Sequence, residues 1–161
     1  MADIKDGYYT IQIAAFSSPL GSTNTHMPAF PSFPLAHYIV SLANEAEPPA
    51  FFIRRWDNPG GTGDLMHVIK IDETVTYPGP TKDQRVVLAQ EDQNFGWVLE
   101  RQHEVGEKVY TVSYEWEKKR YYWYMTSGET HTLVTLKELE EGENLDNRYF
   151  FVIEPTKVTP A

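Results

Sequence analysis

The sequence contains no cysteine. That single absence excludes disulfides, thiolate ligands for zinc and thiol nucleophiles. It leans only weakly towards a reducing compartment, because a domain of this size can bury a core without covalent cross-links. Positive charge is also scarce: 14 Lys and Arg stand against 23 Asp and Glu, a formal net charge of −9. Such a chain repels phosphate backbones and anionic lipid, so neither nucleic acid nor a membrane surface is an expected partner. No apolar run approaches the ~20 residues needed to span a bilayer as a helix. The opening Met1-Ala2-Asp3-Ile4-Lys5-Asp6-Gly7 lacks the basic, apolar, small-residue order of a signal peptide. A cytoplasmic monomer is the expectation, with secretion by another route left open.

Helical periodicity is scarce too. The one stretch with helical propensity, Leu136 to Leu145, is interrupted by Gly142 and is expected to form at best one turn in a loop. What is present instead is a high aromatic share, 14%, and short apolar runs bounded by Gly, Pro, Asn and Asp. Both are strand signatures. They predict a single all-β domain, residues 1–161, with about twelve strands at 8–14, 19–22, 37–41, 51–56, 65–71, 74–77, 86–90, 96–101, 108–114, 120–125, 131–136 and 148–154.

An internal repeat organises these strands. Phe51-Phe52-Ile53-Arg54, Gly96-Trp97-Val98-Leu99-Glu100 and Phe150-Phe151-Val152-Ile153-Glu154 share one pattern, with Phe52, Trp97 and Phe151 spaced by 45 and 54 residues. Tyr9-Thr10-Ile11, His67-Val68-Ile69 and Tyr110-Thr111-Val112 share a second, with Ile11, Ile69 and Val112 spaced by 58 and 43. Three units of about fifty residues, each with four strands, cannot each bury an aromatic face alone, but closed around one axis they can. The expected architecture is a β-trefoil: a six-stranded barrel made by the two repeated series, capped by hairpins at 19–41, 74–90 and 120–136, with pseudo-threefold symmetry. A β-sandwich is the alternative that short strands and frequent turns also allow.

Catalytic constellations are missing. The histidines His26, His37, His67, His103 and His131 show no metal-ligand spacing, and His67 occupies a core-like strand position. No Gly-x-Ser-x-Gly elbow is present. Glu138, Glu140, Glu141 and Glu143 read as a solvated acidic loop rather than a glycosidase pair. Gly60-Gly61-Thr62-Gly63 precedes a strand, not the helix a phosphate cradle needs. No enzyme, no metal and no cofactor are expected.

The loops carry more. Ser22 to Pro34 is long and stiffened by Pro28, Pro31 and Pro34, and proline lowers the entropy lost when a loop is ordered on binding. Its second half, with Phe30 and Phe33, reads equally as a flap folded on the barrel, while Gly21 to Met27 is expected to project. Tyr77 to Arg85 is a second proline-framed candidate, or an ordinary hairpin connection. The cluster Tyr114, Trp116, Tyr121, Tyr122, Trp123 and Tyr124 is a candidate platform for stacking a glycan, although alternation turns part of it inward. A Gln-x-Trp lectin signature is not met, since Gln93 precedes Trp97 by four residues.

The order of Asp6-Gly7-Tyr8-Tyr9-Thr10-Ile11, Pro34 to Leu42, Glu47 to Ile53, Trp97-Val98-Leu99, Val109 to Val112 and Leu145 to Val152 resembles the fungal (mushroom) β-trefoil protease inhibitors, the cospin-like serine protease inhibitors in particular. It is also similar to the mycocypins, clitocypin and macrocypin, which act on cysteine proteases. The resemblance implies a defence protein that offers a rigid loop to a protease cleft. It places the protease-binding loop at Gly21, Ser22, Thr23, Asn24, Thr25, His26 and Met27, with Pro80, Thr81, Lys82, Asp83 and Arg85 as the alternative reactive loop. Ser22 stands where an arginine is expected, a departure that sets trypsin inhibition through this loop in question. Met27 or Phe30 would then suit an apolar pocket, Asn24 an asparagine-specific cysteine protease, and Lys82 or Arg85 a trypsin-like one.

Overall fold

A computed structural model describes residues 4–22, 37–56, 65–79, 86–91, 94–139 and 144–156. Twelve strands follow in chain order: β1 Gly7–Ile13, β2 Leu20–Ser22, β3 His37–Ser41, β4 Phe51–Trp56, β5 Met66–Ile71, β6 Thr74–Pro78, β7 Val87–Gln90, β8 Val98–Arg101, β9 Val109–Trp116, β10 Lys119–Tyr124, β11 Thr135–Glu138 and β12 Phe151–Pro155. A short 3₁₀ turn, Asn147–Tyr149, precedes β12.

Six strands close into a barrel. β1 lies between β12 and β4, β4 pairs with β5, β8 with β9, and β9 with β12. The circuit is completed between β5 and β8 by reciprocal backbone bonds, His67 N–H to Trp97 O at 2.8 Å and Trp97 N–H to His67 O at 2.7 Å. Closure leaves no open barrel edge to recruit other chains. The remaining strands form three hairpins, β2–β3, β6–β7 and β10–β11. These meet one another through His37 opposite Ala89, Val40 opposite Leu133 and Val86 opposite Thr135, which makes one cap.

Threefold equivalence is written in the register. Tyr9 faces Phe51, His67 faces Trp97 and Tyr110 faces Phe151. Two residues along, Ile11 faces Ile153, Ile69 faces Ile53 and Val112 faces Leu99. All but the half-buried Leu99 are buried, and together they fill the barrel. His67 thus holds, in the second repeat, the place of Tyr9 and Tyr110.

One expected position shifts. Phe51 points into the barrel, fully buried, while Phe52 turns outward and packs on Tyr8 at 5.0 Å between ring centroids. Two adjacent phenylalanines satisfy either parity, and only pairing with β1 selects one, because a one-residue slip exchanges the two faces of a strand. The inward triad is therefore Phe51, Trp97 and Phe151. The stretch after Leu136 also differs from the expected loop: Thr135–Glu138 is β11, paired along β10.

Candidate functional site

The connection between β2 and β3 springs from a rigid root. Leu20, Gly21 and Ser22 are all buried and pair with Ser41, Val40 and Ile39. The backbone at Gly21 lies so close to Leu42 that a Cβ there would stand 2.8 Å from Leu42 Cδ1. Leu42 N–H donates to Pro19 O at 2.7 Å, closing the base of the hairpin. Gly21 and Ser22 are thus root residues, buried in strand, and do not project. Thr23, Asn24, Thr25, His26 and Met27, with Phe30 and Phe33, lie outside the described residues.

Ser41 ties this root to the third repeat. Its hydroxyl donates to Glu129 O and accepts from Thr132 N–H at 3.0 Å. Its backbone exchanges two more bonds, Ser41 N–H to Thr132 O at 2.9 Å and His131 N–H to Ser41 O at 2.7 Å. Ser18 adds a contact from its hydroxyl to Gly128 O at 3.4 Å. Four hydrogen bonds on one buried serine fix the far end of β3 against the β10–β11 connection, while the half-buried His37 and Tyr38, next to the 23–36 segment, pair with Ala89 and Leu88 of β7.

The second candidate loop has a similar base. Pro78 pairs with Val87, and Gly79 N–H donates to Val86 O at 2.7 Å. Pro80, Thr81, Lys82, Asp83 and Arg85 lie outside the described residues.

The aromatic cluster of the third repeat is divided by strand alternation. Tyr114, Tyr121 and Trp123 face inward and are buried. Trp123 packs edge-on against Trp97 and Phe151, at 5.4 and 5.7 Å. Tyr122 and Tyr124 face outward but pack on Tyr149, and Lys137 Nζ lies 4.7 Å above the Tyr124 ring. A cation already seated on that ring removes it as a stacking face. Burial, with Glu100 nearby outweighing Arg120, raises the Tyr122 hydroxyl above its ordinary pKa. Trp116 alone of the six is strongly exposed, at 48%.

Among the described residues no three His, Asp or Glu side chains converge as a metal site. No helix there is long and apolar enough to cross a membrane. His37, His103 and His131 occupy a strand start, a turn and a loop, whereas His67 is buried in the barrel. His26 falls outside the described residues.

No protein-family model and no curated protein matches the chain. Solved structures do. A proteinase inhibitor from Coprinopsis cinerea superposes with a TM-score of 0.62 at 14% identity, covering 96% of this chain and 100% of its own. The Macrolepiota procera ricin B-like lectin in complex with lactose gives 0.66 at 13%, covering 97% and 100%. The designed threefold-symmetric protein ThreeFoil gives 0.59 at 13%, covering 94% and 100%. The fold is a β-trefoil. At these identities the likeness carries the fold alone, and a trefoil hosts both an inhibitor and a lectin among these neighbours. Choice between those activities rests on this trefoil's own loops and surfaces.

Proposed function

We propose that this chain is a protease inhibitor that holds its target by the connection between β2 and β3, a serine protease in the first instance. The observation that supports this reading most is the root. One end of the connection leaves from Ser22, buried and paired in β2, and the other joins β3 at His37, half-buried and paired with Ala89, in a strand whose far end is locked through Ser41. Between them the sequence carries Pro28, Pro31 and Pro34. A loop whose ends are already fixed and whose backbone is stiffened loses little entropy on docking, and that saving appears as affinity. The fold it shares with a fungal proteinase inhibitor along nearly its whole length is consistent with this.

Ser22, being buried, contributes to the base and not to pocket filling. The residue that enters a protease pocket is then sought among Asn24, Met27 and Phe30, or in the second loop at Lys82 and Arg85. Their chemistries select different enzymes: Asn24 an asparagine-specific cysteine protease, Met27 or Phe30 an apolar chymotrypsin-like pocket, Lys82 or Arg85 an acidic trypsin-like one. Titration of the purified chain against trypsin, chymotrypsin, papain and legumain tests the reading. Inhibition of one of them at or below micromolar concentration is expected. Alanine at the matching anchor should weaken it by about thirtyfold or more, as loss of a central interface residue does. Four inactive titrations at micromolar inhibitor would overturn the proposal.

A further inference from the structure

At the end of the barrel away from the cap, the threefold register places two arginines in equivalent positions. β1, β5 and β9 each lead into a cap hairpin, so Tyr9, His67 and Tyr110, near their starts, mark the open end. Tyr9 is opposed there by Pro155 of β12, His67 by Arg55 of β4 and Tyr110 by Arg101 of β8. The two arginines are not alike. Arg55 is exposed, and its main-chain N–H donates to Asp6 Oδ1 at 2.8 Å. Arg101 is half-buried and seated on its cross-strand neighbour, with Cζ 5.4 Å from the centroid of the Tyr110 ring. Its Nε and Nη2 both donate to the Tyr110 hydroxyl, at 3.3 and 2.8 Å. Tyr110 is buried, so this contact holds the guanidinium against a fixed wall of the barrel.

A guanidinium presents its N–H groups as two forked edges. Tyr110 engages the Nε–Nη2 edge of Arg101, and the Nη1–Nη2 edge makes no hydrogen bond to a described residue. Carboxylates stand at this end of the barrel, yet among the described residues none pairs with Arg101. Glu154 is held by Lys108 at 3.6 Å, and Asp6 accepts from the Arg55 main chain. Glu100 alternates to the outer face of β8, on the side of Tyr122. Glu104 and Glu107 belong to the exposed turn after Gln102 and form no ion pair with Arg101. With Lys5, Arg54, Arg55 and Lys108 also present, the two signs are equal in number here. What distinguishes the place is therefore an oriented edge and not a net field. A half-buried cation keeps little of its hydration, and one aromatic ring and one hydroxyl replace that hydration only in part.

We propose that the open end of the barrel binds a small organic carboxylate on the Nη1–Nη2 edge of Arg101. The two oxygens of a carboxylate match two parallel N–H groups, and charge-assisted bonds of this kind are shorter and stronger than neutral ones. Tyr110 is the positioning residue: its hydroxyl takes the other edge and its ring lies under the guanidinium, which fixes where the open edge points. A planar fork favours a planar anion over a spherical halide. The site lies at the far end of the barrel from the cap and its β2–β3 connection, and neither reading depends on the other.

The test follows arginine Nε–H signals of the full chain by two-dimensional NMR at about pH 6.5, where carboxylic acids are ionised. Arg101 is assigned as the signal missing from R101K. Acetate, propionate and benzoate are titrated separately to about 50 mM, with chloride exchanged to hold ionic strength constant, because one charge-assisted contact supports affinities of roughly millimolar order. At least one carboxylate is expected to shift the Arg101 signal saturably, where chloride does not. R101Q should weaken that binding by about tenfold or more, as loss of hydrogen bonds to a charged group does. Y110F keeps the ring but releases the fork, and should weaken it by about two- to tenfold. Carboxylate shifts no larger than those from chloride would overturn the site, and so would binding unchanged in R101Q. If R101Q does not fold, the titration of the parent decides by itself.

Discussion

Gly96 shows how one missing side chain is written into the barrel. A Cβ there would lie 2.0 Å from Trp56 Cε3, 2.8 Å from Trp56 Cζ3 and 3.0 Å from Met66 Cβ. The Trp56 indole therefore lies across the backbone just before Trp97, the inward residue that immediately precedes β8. G96A must push the indole away, and overpacking of this kind costs about 1–3 kcal/mol. For a domain of this length that lowers the melting temperature by roughly 2–12 °C. Because the clash is with one ring, W56A should relieve it: G96A made in the W56A background is expected to cost much less than in the parent. Equal costs in the two backgrounds, read by calorimetry, would show that Trp56 is not the obstacle. The Gly-Trp pair was visible in the sequence as part of a repeat, but the reason for its glycine was not, since Trp56 is forty residues away.

At the scale of elements, two hairpins turn through residues ill suited to the turn they make. Asp72 and Glu73 have φ of 49° and 65°, and Glu117 and Lys118 have 50° and 67°. Two-residue connections with both residues left-handed match the twist of paired strands, and glycine is the residue that adopts them without a Cβ clash. E73G and K118G should each stabilise the fold by about 0.5–1 kcal/mol, the relief of strain exceeding the entropy that glycine adds to the unfolded chain. Chemical denaturation measures this directly, and a lower midpoint in both variants would contradict it. Strand positions were legible beforehand because alternation of buried and exposed residues leaves a mark of period two, and the twelve expected strands match those observed to within a few residues at most ends. Parity inside a strand was less legible: Phe51 and Phe52 are both apolar, and only the pairing of Tyr9 with Phe51 decides between them. Loops leave no periodic mark at all. Hence Ser22, grouped with a projecting loop on sequence, proves to be buried in β2, and the ties from Ser41 to residues 129–132, roughly ninety positions away, had no local signal.

For the whole molecule, folding buries Tyr9 and half-buries Tyr77 and Tyr122, tyrosines from all three repeats, and this shapes how the fold responds to alkali. Burial raises the Tyr9 hydroxyl above its ordinary value of 10.0, with Tyr110 adding to the effect. Tyr77 is raised by burial and by Tyr38, and Tyr122 by burial and by Glu100. In the unfolded chain these phenols ionise near their ordinary pKa, whereas the folded chain holds them neutral to higher pH. The folded state then binds more protons than the unfolded state, so unfolding becomes easier as pH rises. Their contribution is fully present below about pH 10 and is lost progressively as pH climbs through the raised folded values. Melting temperature should therefore hold steady on the neutral side and fall steeply from about pH 10 upward. Replacing all three by phenylalanine removes the titrating groups but keeps most of the buried ring area. The variant Y9F/Y77F/Y122F gives up the hydrogen bonds from Tyr9 to Lys5 O and from Tyr77 to Gln90, so its stability at pH 8 can drop. The informative quantity is the slope: between about pH 9 and 11 the variant should lose less stability than the parent, because fewer protons separate its two states. Parallel curves over that range would mean that other groups control alkaline unfolding.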